Sequence, residues 1–258
     1  MLQVRGVDTL GGGHHDWLKA RHHFAFDSQG NPAHARLGNL VVWNDDEIAP
    51  HSGFPRHGHR NMEIVTCVRE GILQHEDSSG GCGEIRAGNV QAITAGRGIW
   101  HSEYNDNDAR LRIFQIWLLP RRLGLDPRWA TKSIAHMQRA GRFVPLASGF
   151  PEDQGALRIE ADARVLGATL EAGQRIAYPL PSTRYAYLVP APGRVMVNDQ
   201  RVGEREPRRR NRCRAGWEEN RARRRATQDR GRGRLSHGDK DAALGDTGRR
   251  QLDHLLRL

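Results

Sequence analysis

Two short stretches hold residues that could do chemistry together. HGHRNME, residues 57–63, sets His57 and His59 on either side of one glycine and puts Glu63 four residues further on. GRGIWHSEYN, residues 96–105, sets His101 and Glu103 two apart after a glycine-rich turn. In a strand, alternate side chains share a face, so each pair would point one way, about 7 Å apart along the chain. Imidazoles and carboxylates so arranged are ligands for a borderline divalent metal such as Fe, Cu, Zn, Ni or Mn. Three histidines and one carboxylate leave a position open for water, oxygen or substrate, which a catalytic metal needs. A lone H-x-H is a weak signal, and solvated loop histidines produce it too. The second pair, on a β background, is what lifts the metal reading above the bland one.

The flanking sequence supplies that β background. Residues 39–45, 63–68 and 71–77 are rich in β-branched or apolar residues, and 83–96 reads as strand, turn, strand. In 111–120, Leu111, Ile113, Gln115 and Trp117 fall on one face, and Arg112, Phe114, Ile116 and Leu118 on the other. Gly, Asn and Asp punctuate these runs, as an all-β barrel or sandwich requires. Residues 126–150 read as a connector with a short helix, opened by Pro127 and closed by Gly141. Strands resume at 156–170, 174–180, 184–191 and 193–202, the start of a second β domain.

Charge divides the chain differently. The net charge is +10, yet residues 201–258 hold 17 Arg and 1 Lys against 9 acidic residues, which leaves the first 200 nearly neutral. Residues 203–258 contain no Ile, Phe, Tyr, Met or Val, so this segment is expected to be disordered, with one weak helical turn or two at LDHLLRL. Three cysteines, with no CxxC, fit a reduced intracellular protein. The first residues show no basic region followed by an apolar run, and no uncharged stretch approaches a membrane span. A cytoplasmic protein with no membrane partner is the expectation.

The two motifs resemble those of the cupin superfamily. His57-Gly58-His59, Glu63 and Gly71 follow the order of its first motif, and Gly98, His101 and Asn105 that of its second. The likeness to the pirin-like branch is closer. It takes in Val65, Glu70-Gly71, His75, Asp77-Ser78, Ile85, Gly88, Gln91, Ala95-Gly96, Gly98-Ile99 and His101-Ser102-Glu103, and extends to NDD at 44–46 and QIWLLP at 115–120. The resemblance implies an all-β bicupin, two double-stranded β-helix (jelly-roll) domains. Residues 1–125 would be the metal-binding cupin, and 151–202 a partial second cupin without a metal.

It also implies one divalent transition metal, Fe(II) foremost with Cu, Ni, Mn or Zn as alternatives, held by His57, His59, His101 and Glu103. Glu63, which stands where many cupins place their carboxylate ligand, is the runner-up; otherwise it would hydrogen-bond a ligand histidine. Gly58 replaces the family's usual proline and should loosen that turn. Trp100 should point away from the metal and pack in the wall. His75 could stand behind the ligands. His14, His15, His22 and His23 read as surface and capping groups rather than a second metal site. Cys67 is expected to be buried and inert. Residues 151–200 hold no His and no Cys, so no metal is expected there.

The activity implied is that of a quercetin 2,3-dioxygenase, acting on a small aromatic flavonol and dioxygen and releasing carbon monoxide. Glu103 would be its catalytic base. The alternative is a non-catalytic, metal-binding regulatory protein with a protein partner. The resemblance ends at about residue 202. The Arg-rich segment after it reads as the product of a shifted reading frame near codons 200–206, with a basic arm for nucleic acid as the competing reading. A nucleic-acid partner is not expected.

Overall fold

The computed structural model describes residues 2–26, 30–134, 136–191, 193–203 and 254–257. The described residues contain strands and three short 3-10 helices, and no α-helix. No helix among them is long and apolar enough to cross a membrane.

Eleven strands build the first unit. They are β1 (Gly11–His14), β2 (Leu18–His22), β3 (Leu40–Ile48), β4 (Ser52–His59), β5 (Glu63–Glu70), β6 (Ile72–Asp77), β7 (Cys82–Arg86), β8 (Asn89–Thr94), β9 (Ile99–Asn105), β10 (Leu111–Leu118) and β11 (Arg128–Ser133). A seven-stranded sheet runs β1-β2-β3-β10-β5-β8-β11, and a four-stranded sheet runs β4-β9-β6-β7. All their pairings are antiparallel. The glycine-rich turn before β9 needs its glycine: Gly96 has φ +48°, and a Cβ there would meet the Leu125 carbonyl oxygen at 1.9 Å.

The inner face of this unit is layered. One apolar cluster holds Leu18, Ile48, Leu73, Ile85, Leu111 and Ile113. Another holds Ile64, Ile93, Ala95 and Ile99, with Trp117 and Trp129 against it. Between them a polar row crosses four neighbouring strands, in the register Asn44↔Gln115↔Thr66↔Gln91. The outer face of the same sheet is apolar as well. Trp43, Val65, Cys67, Phe114 and Ile116 pack against Leu146, Val165 and Val189 of the second unit. Burial on both faces is why β10 lacks a polar side. Each such fully buried aliphatic or aromatic side chain contributes about 1.5–3 kcal/mol.

The second unit is smaller. Its strands are β12 (Val144–Ser148), β13 (Leu157–Arg158), β14 (Arg164–Gly167), β15 (Ala186–Val189), β16 (Arg194–Val197), β17 (Gln200–Gly203) and β18 (His254–Arg257). The sheet order is β13-β12-β14-β18-β15, with β16-β17 as a separate hairpin. The described strands form an all-β bicupin, with β12–β18 as its second half.

Several expectations need correction. The connector at 126–150 is largely sheet: β11 pairs with β8 along its whole length, and the short helix is one 3-10 turn, His136–Arg139. Residues 174–180 form no strand; Pro179 and Pro181 remove ladder donors there. The run 156–170 is interrupted between β13 and β14, where the Glu160 N–H turns away to a side chain of the first unit. The end of the chain is a strand, β18, where a helical turn was expected, and it fills the slot between β14 and β15. The remaining expectations for the Arg-rich segment lie outside the described residues.

The four early histidines divide in two. His14 and His15 are exposed, but His22 is buried. The Nδ1 of His23 lies 2.8 Å from the Tyr187 hydroxyl. Burial first, then the charges of Arg5, Arg21 and Arg69, push the His23 pKa down to about 3. Cys67 is buried, as expected.

Candidate metal centre

The centre is built on the four-stranded sheet. His57 and His59 alternate on β4, His101 and Glu103 on β9, and His75 and Asp77 on β6. The register sets His57 opposite His101, Glu103 opposite His75, and His101 opposite Asp77. The motif's Asn105 is a staple at the end of β9. Its amide donates to the carbonyls of Ile48, Ala49 and Ala109 at 3.3, 2.9 and 2.9 Å.

Three histidines converge. Their ring centroids lie 4.4 Å (His57–His101), 4.8 Å (His57–His59) and 4.9 Å (His59–His101) apart. Each offers a ligand atom within 4.8 Å of the others. His57 Nδ1 is 2.8 Å from the Pro55 carbonyl. A carbonyl only accepts, so the proton sits on Nδ1 and Nε2 keeps its lone pair. Burial, followed by the charges of His57 and His75, pushes the His101 pKa down to about 3; burial and its neighbours take His59 to about 4. Both rings are therefore neutral at pH 7 and able to ligate. Both ring nitrogens of His101 are buried with no hydrogen-bond partner. An orphaned buried nitrogen costs about 1–3 kcal/mol, and a metal ion is the partner that would remove that cost. The donor set therefore fits the implied ion.

Glu103 comes close to His101, but the ligand atom it offers groups with His101 and His75, away from His57 and His59. A relay of side chains holds it. Gln91 Nε2 donates to Glu103 Oε1 at 2.5 Å, and Gln115 Nε2 donates to Oε2 at 2.6 Å. Each amide is oriented in turn by an indole. Trp129 Nε1–H donates to Gln91 Oε1 at 3.0 Å, and Trp117 Nε1–H to Gln115 Oε1 at 3.2 Å. An indole only donates, so each amide must turn its oxygen to the tryptophan and its NH2 to the carboxylate. Trp117 also lies edge-on to His59, with 4.9 Å between centroids.

Glu63 is not part of this pocket. Ile64 and Thr66 face the barrel interior, so strand parity turns Glu63 outward, toward the second unit. Its Oε2 accepts from Thr94 Oγ1 at 2.9 Å and from the Glu160 N–H at 3.0 Å, and it bonds no ligand histidine. Burial pushes its pKa up to about 7. Gly58 does not sit in a turn but inside β4, opposite Trp100. Trp100 does point away from the pocket, yet it stands exposed over Gly58 rather than packed in the wall.

Sequence reasoning gave no role to Gln91, Gln115, Trp117 or Trp129, and gave His75 only a loose one. A signal existed for Gln115, a polar residue on the Leu111–Ile113–Trp117 face of a buried strand. For Trp129 there was none, because its strand read as a connector.

Residues 4–118 match the Pirin family, and residues 146–208 match the quercetinase C-terminal cupin domain. A pirin-like protein of Caulobacter vibrioides is 50% identical over 206 residues, covering 80% of this chain and 89% of that one. A quercetin 2,3-dioxygenase of Escherichia coli is 32% identical over 199 residues, covering 77% and 84%. A bacterial pirin from Escherichia coli, solved in complex with nickel(II), superposes with a TM-score of 0.73 at 30% identity, covering 79% of this chain and 87% of that one. The motifs that build the pocket lie inside the matched residues, and on these likenesses the chain belongs to the pirin family.

Proposed function

We propose that the chain is a metal-dependent dioxygenase of the pirin type, a quercetin 2,3-dioxygenase that adds the two atoms of dioxygen to C2 and C4 of quercetin-like flavonols, breaks the C2–C3 and C3–C4 bonds, and releases C3 as carbon monoxide. The observation that carries this reading is the convergence of His57, His59 and His101, with the His101 nitrogens buried and unpartnered. The likeness to a relative named as a quercetin 2,3-dioxygenase supports it.

His57, His59, His101 and Glu103 would hold one divalent ion, Fe(II) in this reading; Cu, Ni, Mn and Zn accept the same donors. When bound, such an ion polarises hydroxyl and carbonyl oxygens and lowers the pKa of a hydroxyl. The other contributions come from the chain itself. Glu103 takes the proton of the flavonol 3-hydroxyl as a positioned base. Gln91 and Gln115 fix its orientation while each oxygen keeps a further lone pair. Trp117 offers a flat apolar wall beside His59 for an aromatic ring. The second unit, whose residues 151–200 hold no imidazole or thiol, backs the first.

The test is quercetin-dependent oxygen uptake and carbon monoxide release by protein reconstituted with Fe(II) and assayed for bound metal. Uptake that disappears in His101→Ala supports the proposal. No uptake at about one metal per chain defeats it. The outer face of β9 favours a second reading, a metal-binding regulatory protein. Trp100 and Tyr104 are 56% and 39% exposed there, on the strand whose inner face carries His101 and Glu103. A protein partner could read the metal state through such a strand, and this reading requires no oxygen consumption.

A further inference from the structure

His75 is unused by the chemistry above, and its surroundings are built for ligation. His75, His101 and Glu103 are all buried, and each places a ligand atom within 4.8 Å of the others. Ligand atoms around an ion at about 2.1 Å lie roughly 3–4 Å apart, so side-chain shifts of about 1 Å would close this set.

The tautomer of His75 is fixed from behind. Its Nε2 is 2.9 Å from Asp77 Oδ2, and both side chains are fully buried. Asp77 is itself held as an acceptor. Its Oδ1 takes hydrogen bonds from the Ser79 N–H at 2.7 Å, the Ser79 hydroxyl at 2.6 Å and the Gly81 N–H at 3.1 Å. The shared proton therefore sits on His75 Nε2, and Nδ1 carries a lone pair. That Nδ1 is buried and has no hydrogen-bond partner. The ring cannot swing away to find one, because it stacks on Trp129 at 4.9 Å with planes 2° apart. Nearby, His101 has two unpartnered nitrogens, and Glu103 keeps lone pairs beyond its two amide bonds. Aspartate behind histidine is the arrangement that orients a metal-ligating imidazole.

We propose that the pocket holds a second, inner seat for a divalent metal, formed by His75 Nδ1, His101 and Glu103, with Asp77 setting the His75 tautomer. It shares His101 and Glu103 with the outer seat of His57, His59, His101 and Glu103, so one ion occupies one seat at a time. Two imidazoles and a carboxylate with open positions suit Fe(II) and its neighbours Co(II) and Ni(II). The inner seat is fully buried, whereas the outer one is half-buried and opens to substrate. The inference rests on the metal-centre reading above.

The test titrates Co(II) alone into the chelator-stripped full chain, with thermal unfolding and circular dichroism to certify folding. His57 and His59 are half-buried, so the double variant His57→Ala/His59→Ala removes the outer seat with little damage to the core. It is expected to keep about one Co(II) per chain, with X-ray absorption reporting two imidazoles. Adding Asp77→Asn should then weaken Co(II) by about 10–100-fold. The asparagine amide would face Nε2 and force the ring proton onto Nδ1, with no change in shape. Adding His75→Ala instead should abolish the residual binding. If the double variant binds no Co(II) while the native chain does, the inner seat is wrong and the outer centre stands. Residual binding that survives both His75→Ala and Asp77→Asn also overturns the inner seat. A native chain that binds no Co(II) overturns both.

Discussion

Gln115 and Glu103 meet across the first barrel, the amide of β10 donating to the carboxylate of β9 at 2.6 Å. The two residues sit on opposite sheets, so this bond ties the ligand-bearing sheet to the wall behind it. Trp117 holds the amide the right way round. Replacing Gln115 with leucine keeps the volume and removes the donor. Affinity for Co(II), read by competition with a chromophoric chelator, is expected to fall about 10–100-fold. Unchanged affinity would show that Glu103 needs no such support.

Glu63 links stability to pH. Its pKa is pushed from 4.5 up to about 7 by burial between the two units. Across that window the folded chain keeps a proton that the unfolded chain has released. Its contribution to stability therefore falls as pH rises from about 4.5 to about 7, and stays low above it. Glu63→Gln cannot ionise and keeps an oxygen for Thr94 and the Glu160 N–H. The thermal midpoint of the variant should fall less than that of the native chain between pH 5 and pH 7. Asp46, buried and pushed up to about 8, adds a parallel fall that both proteins share. Parallel curves for the two proteins would remove Glu63 from the account.

What could be read from sequence, and what could not, follows from the range of the interactions. The pairing of His57 with His59 and of His101 with Glu103 was legible, because strand alternation is local and both motifs lie in strands. Glu63 was misassigned because its parity is set by the turn between β4 and β5, which motif spacing does not reveal. The strand Arg128–Ser133 was missed because its partner, β8, is more than thirty residues away. His22 and His23 looked like surface groups, yet His22 is buried and His23 is bonded to Tyr187, 164 positions further on. Trp129 acquires its role only through that long-range pairing.

The strand at the end of the chain makes a third prediction. β18 pairs with β14 in the register Leu166↔Leu255 and with β15 in the register Leu188↔Leu255. A chain lacking residues 249–258 would leave two facing strand edges open. Its thermal midpoint should drop, and light scattering should show concentration-dependent aggregation. An unchanged midpoint would mean that the pairing contributes nothing to stability. The shifted-frame proposal for the Arg-rich segment has its own test at the level of the gene. Reading the other frames from codon 200 onward should reveal alternating apolar strands.

The fourth prediction concerns Gly58 and Trp100, directly opposite each other on β4 and β9. A Cβ built on Gly58 would meet the Trp100 ring at 3.3–3.4 Å, slightly closer than an ordinary contact. The indole is 56% exposed and can tilt only by giving up its cover over the glycine. Gly58→Ala brings two opposing effects. It restricts the unfolded chain, which stabilises by about 0.4–1 kcal/mol where the backbone allows the residue, and it pushes against the ring. With Trp100 present the two should nearly cancel. With Trp100→Ala the push is gone, so Gly58→Ala should stabilise outright. Denaturant unfolding of the four proteins gives the coupling, expected on the order of 0.5 kcal/mol. A coupling indistinguishable from zero would mean that the glycine is not there to seat the tryptophan. Because Gly58 separates His57 from His59, the same four proteins should be titrated with Co(II). A push that moves β4 will register as weaker binding in Gly58→Ala and recover in the double variant.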